Sequence, residues 1–117
     1  MDDRGLLDST LVIIMSEFGR APLIAREPNF PGNNAGRKHW ASAYSIALAG
    51  AGVKRGAVLG ATDRLGGEVV TDRYAPWDLT ATVFNALGIP VDTHYTDPVD
   101  RPLPVTTGKP IEALYRS

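Results

Sequence analysis

The residues best suited to chemistry gather in two short stretches, Ser16-Glu17-Phe18-Gly19-Arg20 and Gly36-Arg37-Lys38-His39-Trp40. Glu17 and His39 offer a carboxylate and an imidazole, a donor pair that suits zinc, manganese or iron. Arg20, Arg37 and Lys38 offer cations beside them, and Arg matches the geometry of phosphate or sulfate with its two-pronged donors. If the strands that carry them are neighbours, Glu17 and His39 are the metal ligands and Arg20, Arg37 and Lys38 hold an anionic, phosphorylated or sulfated small molecule. The plainer alternative makes Glu17 an exposed carboxylate at an element end and Arg20 a solvated charge. The second histidine, His94, stands in the turn-rich DTHYTDPVDRP with no second ligand at i+2 or i+4, and reads as a surface residue.

Other chemistries find no support. Ser16 lacks a Gly-x-Ser-x-Gly elbow, and no Gly-x-x-x-x-Gly-Lys-Ser/Thr loop is present to cradle phosphates. Gly50-Ala51-Gly52-Val53-Lys54-Arg55 begins like a dinucleotide loop, but Arg55 stands where the third glycine belongs and no amphipathic helix follows. It reads as a turn. The absence of cysteine excludes disulfides and thiolate ligands.

The element that must position the first stretch is Leu11–Met15, an aliphatic run that predicts a central strand buried on both faces, with Glu17 and Arg20 at its carboxyl end, where open α/β sheets place ligands. Residues 21–38, with three prolines and no periodic pattern, predict a long loop leading to His39. Ala43–Ala49 predicts a second buried strand, Gly56–Leu59 a short one, and Gly60–Arg73 a meandering hairpin. Tyr74–Ile89 is the clearest helix: Pro76 fits its first turn, Asp78 complements the dipole, and Gly88 with Pro90 stops it. Trp77 and Leu79 head its apolar stripe, and Trp77 is read as core. Pro102–Leu114 predicts an extended closing segment.

A net charge of −1 argues against a general nucleic-acid binder, which needs an excess of Lys and Arg. Residues 1–60 carry seven Lys or Arg against five Asp or Glu, and residues 61–117 five against eight, so the positive excess lies on the side of the candidate site. No apolar run approaches the roughly 20 residues of a membrane span. A strand buried on both faces so close to Met1 needs neighbours from elsewhere. The chain is therefore expected to be one domain, or the carboxyl-terminal fragment of a larger one whose amino-terminal part is its partner.

The order S-E-F-G-R, G-R-K-H-W, S-I-A-L-A-G and P-W-D-L-T-A-T-V-F-N-A-L-G-I resembles the carboxyl-terminal part of the alkaline phosphatase and sulfatase superfamily, from about Leu6 to Ile111, and more closely an exported bacterial branch of it, a domain-of-unknown-function family. The resemblance implies an α/β fold, a mostly parallel sheet flanked by helices. It also implies a metal-dependent hydrolase of phosphate or sulfate esters, exported or periplasmic, with the nucleophile in the amino-terminal half. In metal-dependent members the first strand ends in Asp-His-Gly and a later His completes the ligand set. Glu17 matches the Asp, Gly19 the Gly and His39 the later His, whereas Phe18 replaces a metal-binding His and Lys38 stands where closer relatives have Asp. Asp78–Thr82 resembles a structural Asp-Ile-x-Pro-Thr helix. The chain alone is then expected to be inactive, and the rival expectation is a non-catalytic descendant that binds a protein or glycan through the 21–38 loop.

Overall fold

The computed structural model of the chain describes residues 1–26 and 35–115. In chain order these form β1 (Val12–Ile14), β2 (Gly19–Arg20), β3 (Ala25–Arg26), β4 (Ala35–Gly36), β5 (His39–Trp40), β6 (Ala47–Ala49), β7 (Ala61–Thr62), β8 (Val69–Thr71), helix α1 (Pro76–Ala86), β9 (His94–Thr96) and β10 (Pro102–Pro104), with short 3₁₀ turns at Asp2–Arg4, Leu6–Asp8 and Glu112–Leu114. Among the described residues the strands pair two by two, β1 with β6, β2 with β5, β3 with β4, β7 with β8 and β9 with β10. The last four pairs are antiparallel.

This overturns the expected mostly parallel, helix-flanked, alkaline-phosphatase-like sheet. Such a sheet needs crossover helices between successive strands, and the Pro- and Gly-rich chain between Met15 and His39 has no helical period to supply one. It folds back on itself instead. The aliphatic run does form β1, but with one neighbour it is not a doubly buried central strand: Ile14 is 70% and Met15 50% exposed. An apolar run of this length specifies an extended strand without specifying how many partners cover it. Ala47–Ala49 likewise forms a strand with exposed ends, and 56–59 forms none. The hairpin expected in Gly60–Arg73 is present as β7 and β8.

The chain divides into two compact units. In the first, Met1–Val12, Leu48–Leu59 and Tyr74–Ser117, α1 carries the buried Leu79, Ala81 and Thr82, and Ile111 and Leu114 are also buried. The Asp-Leu-Thr-Ala-Thr stretch explains how the closing segment is held. Asp78 Oδ2 accepts the Ala75 N–H at 2.9 Å, satisfying a free helix-start donor, while its Oδ1 accepts the Lys109 N–H at 3.0 Å. One turn on, the fully buried Thr82 Oγ1 donates to the Asp78 carbonyl at 2.7 Å and accepts the Ile111 N–H at 2.9 Å. Gly108 lets the segment lie against the helix start, because a Cβ there would sit 2.1 Å from the Trp77 carbonyl oxygen. Trp77 itself is 55% exposed and not the core residue expected; Leu79 takes that place. The second unit, Ile13–Ala47 and Gly60–Arg73, carries the candidate site.

Candidate functional site

The two chemistry-bearing stretches meet as β2 and β5. Their antiparallel register sets Gly19 opposite Trp40 and Arg20 opposite His39. Opposed residues share a face, and alternation along β2 puts Phe18 on the same face as Arg20, within diagonal reach of His39. The Phe18 and His39 rings accordingly stack, with centroids 3.8 Å apart and planes 27° from parallel. The Arg20 guanidinium carbon stands 6.0 Å from the Phe18 ring centre, and its Nη1 donates to the Arg37 carbonyl at 3.3 Å. The stack fixes the plane of the imidazole.

Beyond this pair the ribbon continues. The Ala21 N–H donates to the Lys38 carbonyl at 2.9 Å, and β3 and β4 pair with Ala25 opposite Gly36. The ends of the expected 21–38 loop are thus a two-stranded arm, and its residues 27–34 lie outside the described residues. Four residues separate β2 from β3 but only two separate β4 from β5, so the 21–24 side must bulge. Leu23 and Ile24 sit in that bulge, 72% and 69% exposed.

Glu17 lies just before β2, fully exposed, with its carboxyl held below the ordinary value of 4.5. Its own backbone N–H is the main cause, followed by the Ser16 hydroxyl, which donates to Oε2 at 3.1 Å; the charges of His39 and Arg20 add to this, against the effect of desolvation. Glu17 therefore feels the charges of both His39 and Arg20. Arg37 and Lys38 are exposed, and both lend their backbone carbonyls to the ribbon. His94 lies in the first unit, exposed, its Nδ1 2.8 Å from the Asp92 carbonyl oxygen.

The rest of the unit braces this edge. A Cβ at Gly19 would come within 2.1 Å of the Ala43 carbonyl oxygen, so only glycine lets β2 lie against residues 43–44. The Trp40 indole N–H donates to the Gly67 carbonyl at 2.7 Å, tying β5 to the β7–β8 turn. Asp63 orders that turn by accepting the Leu65 and Gly67 N–H groups at 3.1 and 2.7 Å. These N–H bonds, led by that from Gly67, hold the Asp63 carboxyl below its usual range. Ser16, Phe18, Arg20, Tyr44, Ser45 and Thr62 line an open cavity of about 420 Å³. Of these, Tyr44, Ser45 and Thr62 escape sequence reasoning, since neither a motif nor a charge marks them.

As metal donors, Glu17 and His39 have the right chemistry, an oxygen and a nitrogen, but they are two, and catalytic zinc sites commonly use three protein ligands. No group of three or more His, Cys, Asp or Glu that could hold a metal occurs among the described residues. Among them, too, no helix is long and apolar enough to cross a membrane.

A family whose sequence model matches residues 1–115 is described as a protein of unknown function, DUF1501. No curated protein and no solved structure matches the chain.

Proposed function

We propose, for a chain that belongs to the DUF1501 family of proteins of unknown function, that the edge bearing Glu17, Arg20 and His39 is part of the site of a metal-dependent hydrolase of phosphate or sulfate esters. The observation that carries this reading is the register that opposes Arg20 to His39, with Glu17 close enough for both to lower its pKa. Glu17 and His39 would hold a zinc, manganese or iron ion; bound there, such an ion supplies Lewis-acid polarisation and an activated water. Arg20 spends one N–H on the Arg37 carbonyl and has others to orient an anionic ester. Phe18 holds the His39 ring in place and contributes no ligand. Further ligands and the nucleophile would come from an amino-terminal part of the same protein, which leaves this chain inactive alone. The motif likeness to the alkaline phosphatase and sulfatase superfamily supports the ester chemistry and not the fold.

The test is hydrolysis of p-nitrophenyl phosphate and p-nitrophenyl sulfate by the full-length protein, stripped with chelator and reloaded with each metal, beside Glu17→Ala and His39→Ala. Loss of metal-restored activity in both variants is expected. Full activity in either would sink the assignment.

A second reading has its own observation. Phe18 against His39, and the exposed Leu23 and Ile24 on the arm, suit a non-catalytic descendant that binds a protein or glycan through residues 21–38. Under it, replacing Leu23 and Ile24 by serine abolishes partner binding, while chelator changes nothing.

A further inference from the structure

The cavity beside Arg20 is built from three separate stretches of the second unit, held by two contacts. Gly19 allows the 16–20 stretch to close on residues 43–45, and the Trp40 indole bond to Gly67 holds the turn near Thr62. Its volume of about 420 Å³ falls within the roughly 300–1,000 Å³ of small-molecule clefts, toward the lower end. Arg20 is the charged residue among the described residues that line it; the others include the hydroxyl side chains of Ser16, Ser45, Thr62 and Tyr44 and the ring of Phe18.

Hydroxyls both donate and accept, which matches the hydroxyls of a sugar better than the acceptor-only oxygens of an anion. Phe18 is already stacked on His39, so Tyr44 is the aromatic in the lining that can offer apolar surface to the C–H face of a pyranose, and Arg20 in the same lining suits an ester anion attached to that ring. We propose that this cavity holds the sugar of a hexose phosphate or hexose sulfate, with Arg20 on the ester group. The proposal rests on the reading of Arg20 as an ester-binding residue and adds the group on the other side of the ester bond.

The test is titration calorimetry on the whole chain with glucose 6-phosphate, glucose 6-sulfate, phenyl phosphate, inorganic sulfate and glucose, for the native protein, Ser45→Ala and Thr62→Val. Expected is tighter binding of one of the two sugar esters than of phenyl phosphate, inorganic sulfate or glucose, with the phosphate and sulfate arms telling the two anions apart. Each conservative variant should weaken that sugar ester by about five- to tenfold, the loss of one hydrogen bond, and leave phenyl phosphate unchanged. Phenyl phosphate binding as tightly as either sugar ester, or sugar ester binding unchanged in both variants, overturns the sugar assignment while leaving the anion reading intact. Sugar-ester binding in a full-length protein without hydrolysis fails the hydrolase reading and upholds this one. No binding of any of the five overturns both.

Discussion

Gly19→Ala is the sharpest single perturbation of the candidate site. The added Cβ would stand 2.1 Å from the Ala43 carbonyl oxygen, and real Cβ atoms essentially never come under 3.0 Å of a neighbour, so the two backbones must part by about 0.9 Å. The intruded atom is main chain, which cannot rotate away as a side chain could. Overpacking of this kind costs about 1–3 kcal/mol, which at about 4 °C per kcal/mol lowers the melting temperature by about 4–12 °C. The same displacement widens the cavity wall and shifts Phe18 and Arg20 away from residues 43–45, so anion binding should weaken with stability. Gly36→Ala is the matched control on the same ribbon: nothing lies within 4 Å of its Cβ position, and its change should stay within about 0.5 kcal/mol. Thermal denaturation followed by near-UV circular dichroism reads both. Equal melting temperatures for the two alanine variants would refute the close approach of β2 to Ala43.

Three further outcomes follow from the contacts described. Thr82→Val keeps the shape but strands the buried Ile111 N–H, and should cost about 1–3 kcal/mol in urea denaturation, against little for Thr82→Ser. Trp40→Phe removes the indole donor to Gly67 and should cost about 1 kcal/mol, seen also as a shift of the β7–β8 turn resonances in the amide spectrum. The lowered pKa of Glu17 means that its carboxylate stabilises the fold above its unfolded value near 4.5, a contribution lost as pH falls through the lower folded value. Ser16→Ala should raise the Glu17 pKa in a carboxyl NMR titration without restoring 4.5, because the backbone N–H remains its largest partner.

The candidate pair was legible because residue type limits who can do chemistry: only two histidines exist, and one of them closes a cation cluster. That His39 falls opposite Arg20 follows from antiparallel return of the chain, which the proline-rich 21–38 stretch hid. Helix α1 was legible from Pro76, Asp78 and Gly88, since helix ends are written locally; its exposed Trp77 was not, because the closing segment meets that residue at its backbone carbonyl and leaves the side chain 55% exposed. The parallel sheet failed for a physical reason. Aliphatic content at Leu11–Met15 reports an extended strand, whereas strand direction and number of neighbours depend on chain remote from it. Tyr44 and Ser45 reach the cavity through the close approach at Gly19 and Thr62 through the turn that Trp40 holds at Gly67, and no spacing along the sequence encodes either.

The most direct test of the central claim is the zinc affinity of this chain, by titration calorimetry, for the native protein, Glu17→Gln, His39→Ala and His94→Ala. Shared ligation predicts weaker zinc binding in the first two variants than in the native protein, because each removes one of the two donors, and native affinity in His94→Ala. Equal affinity in all four proteins would contradict it.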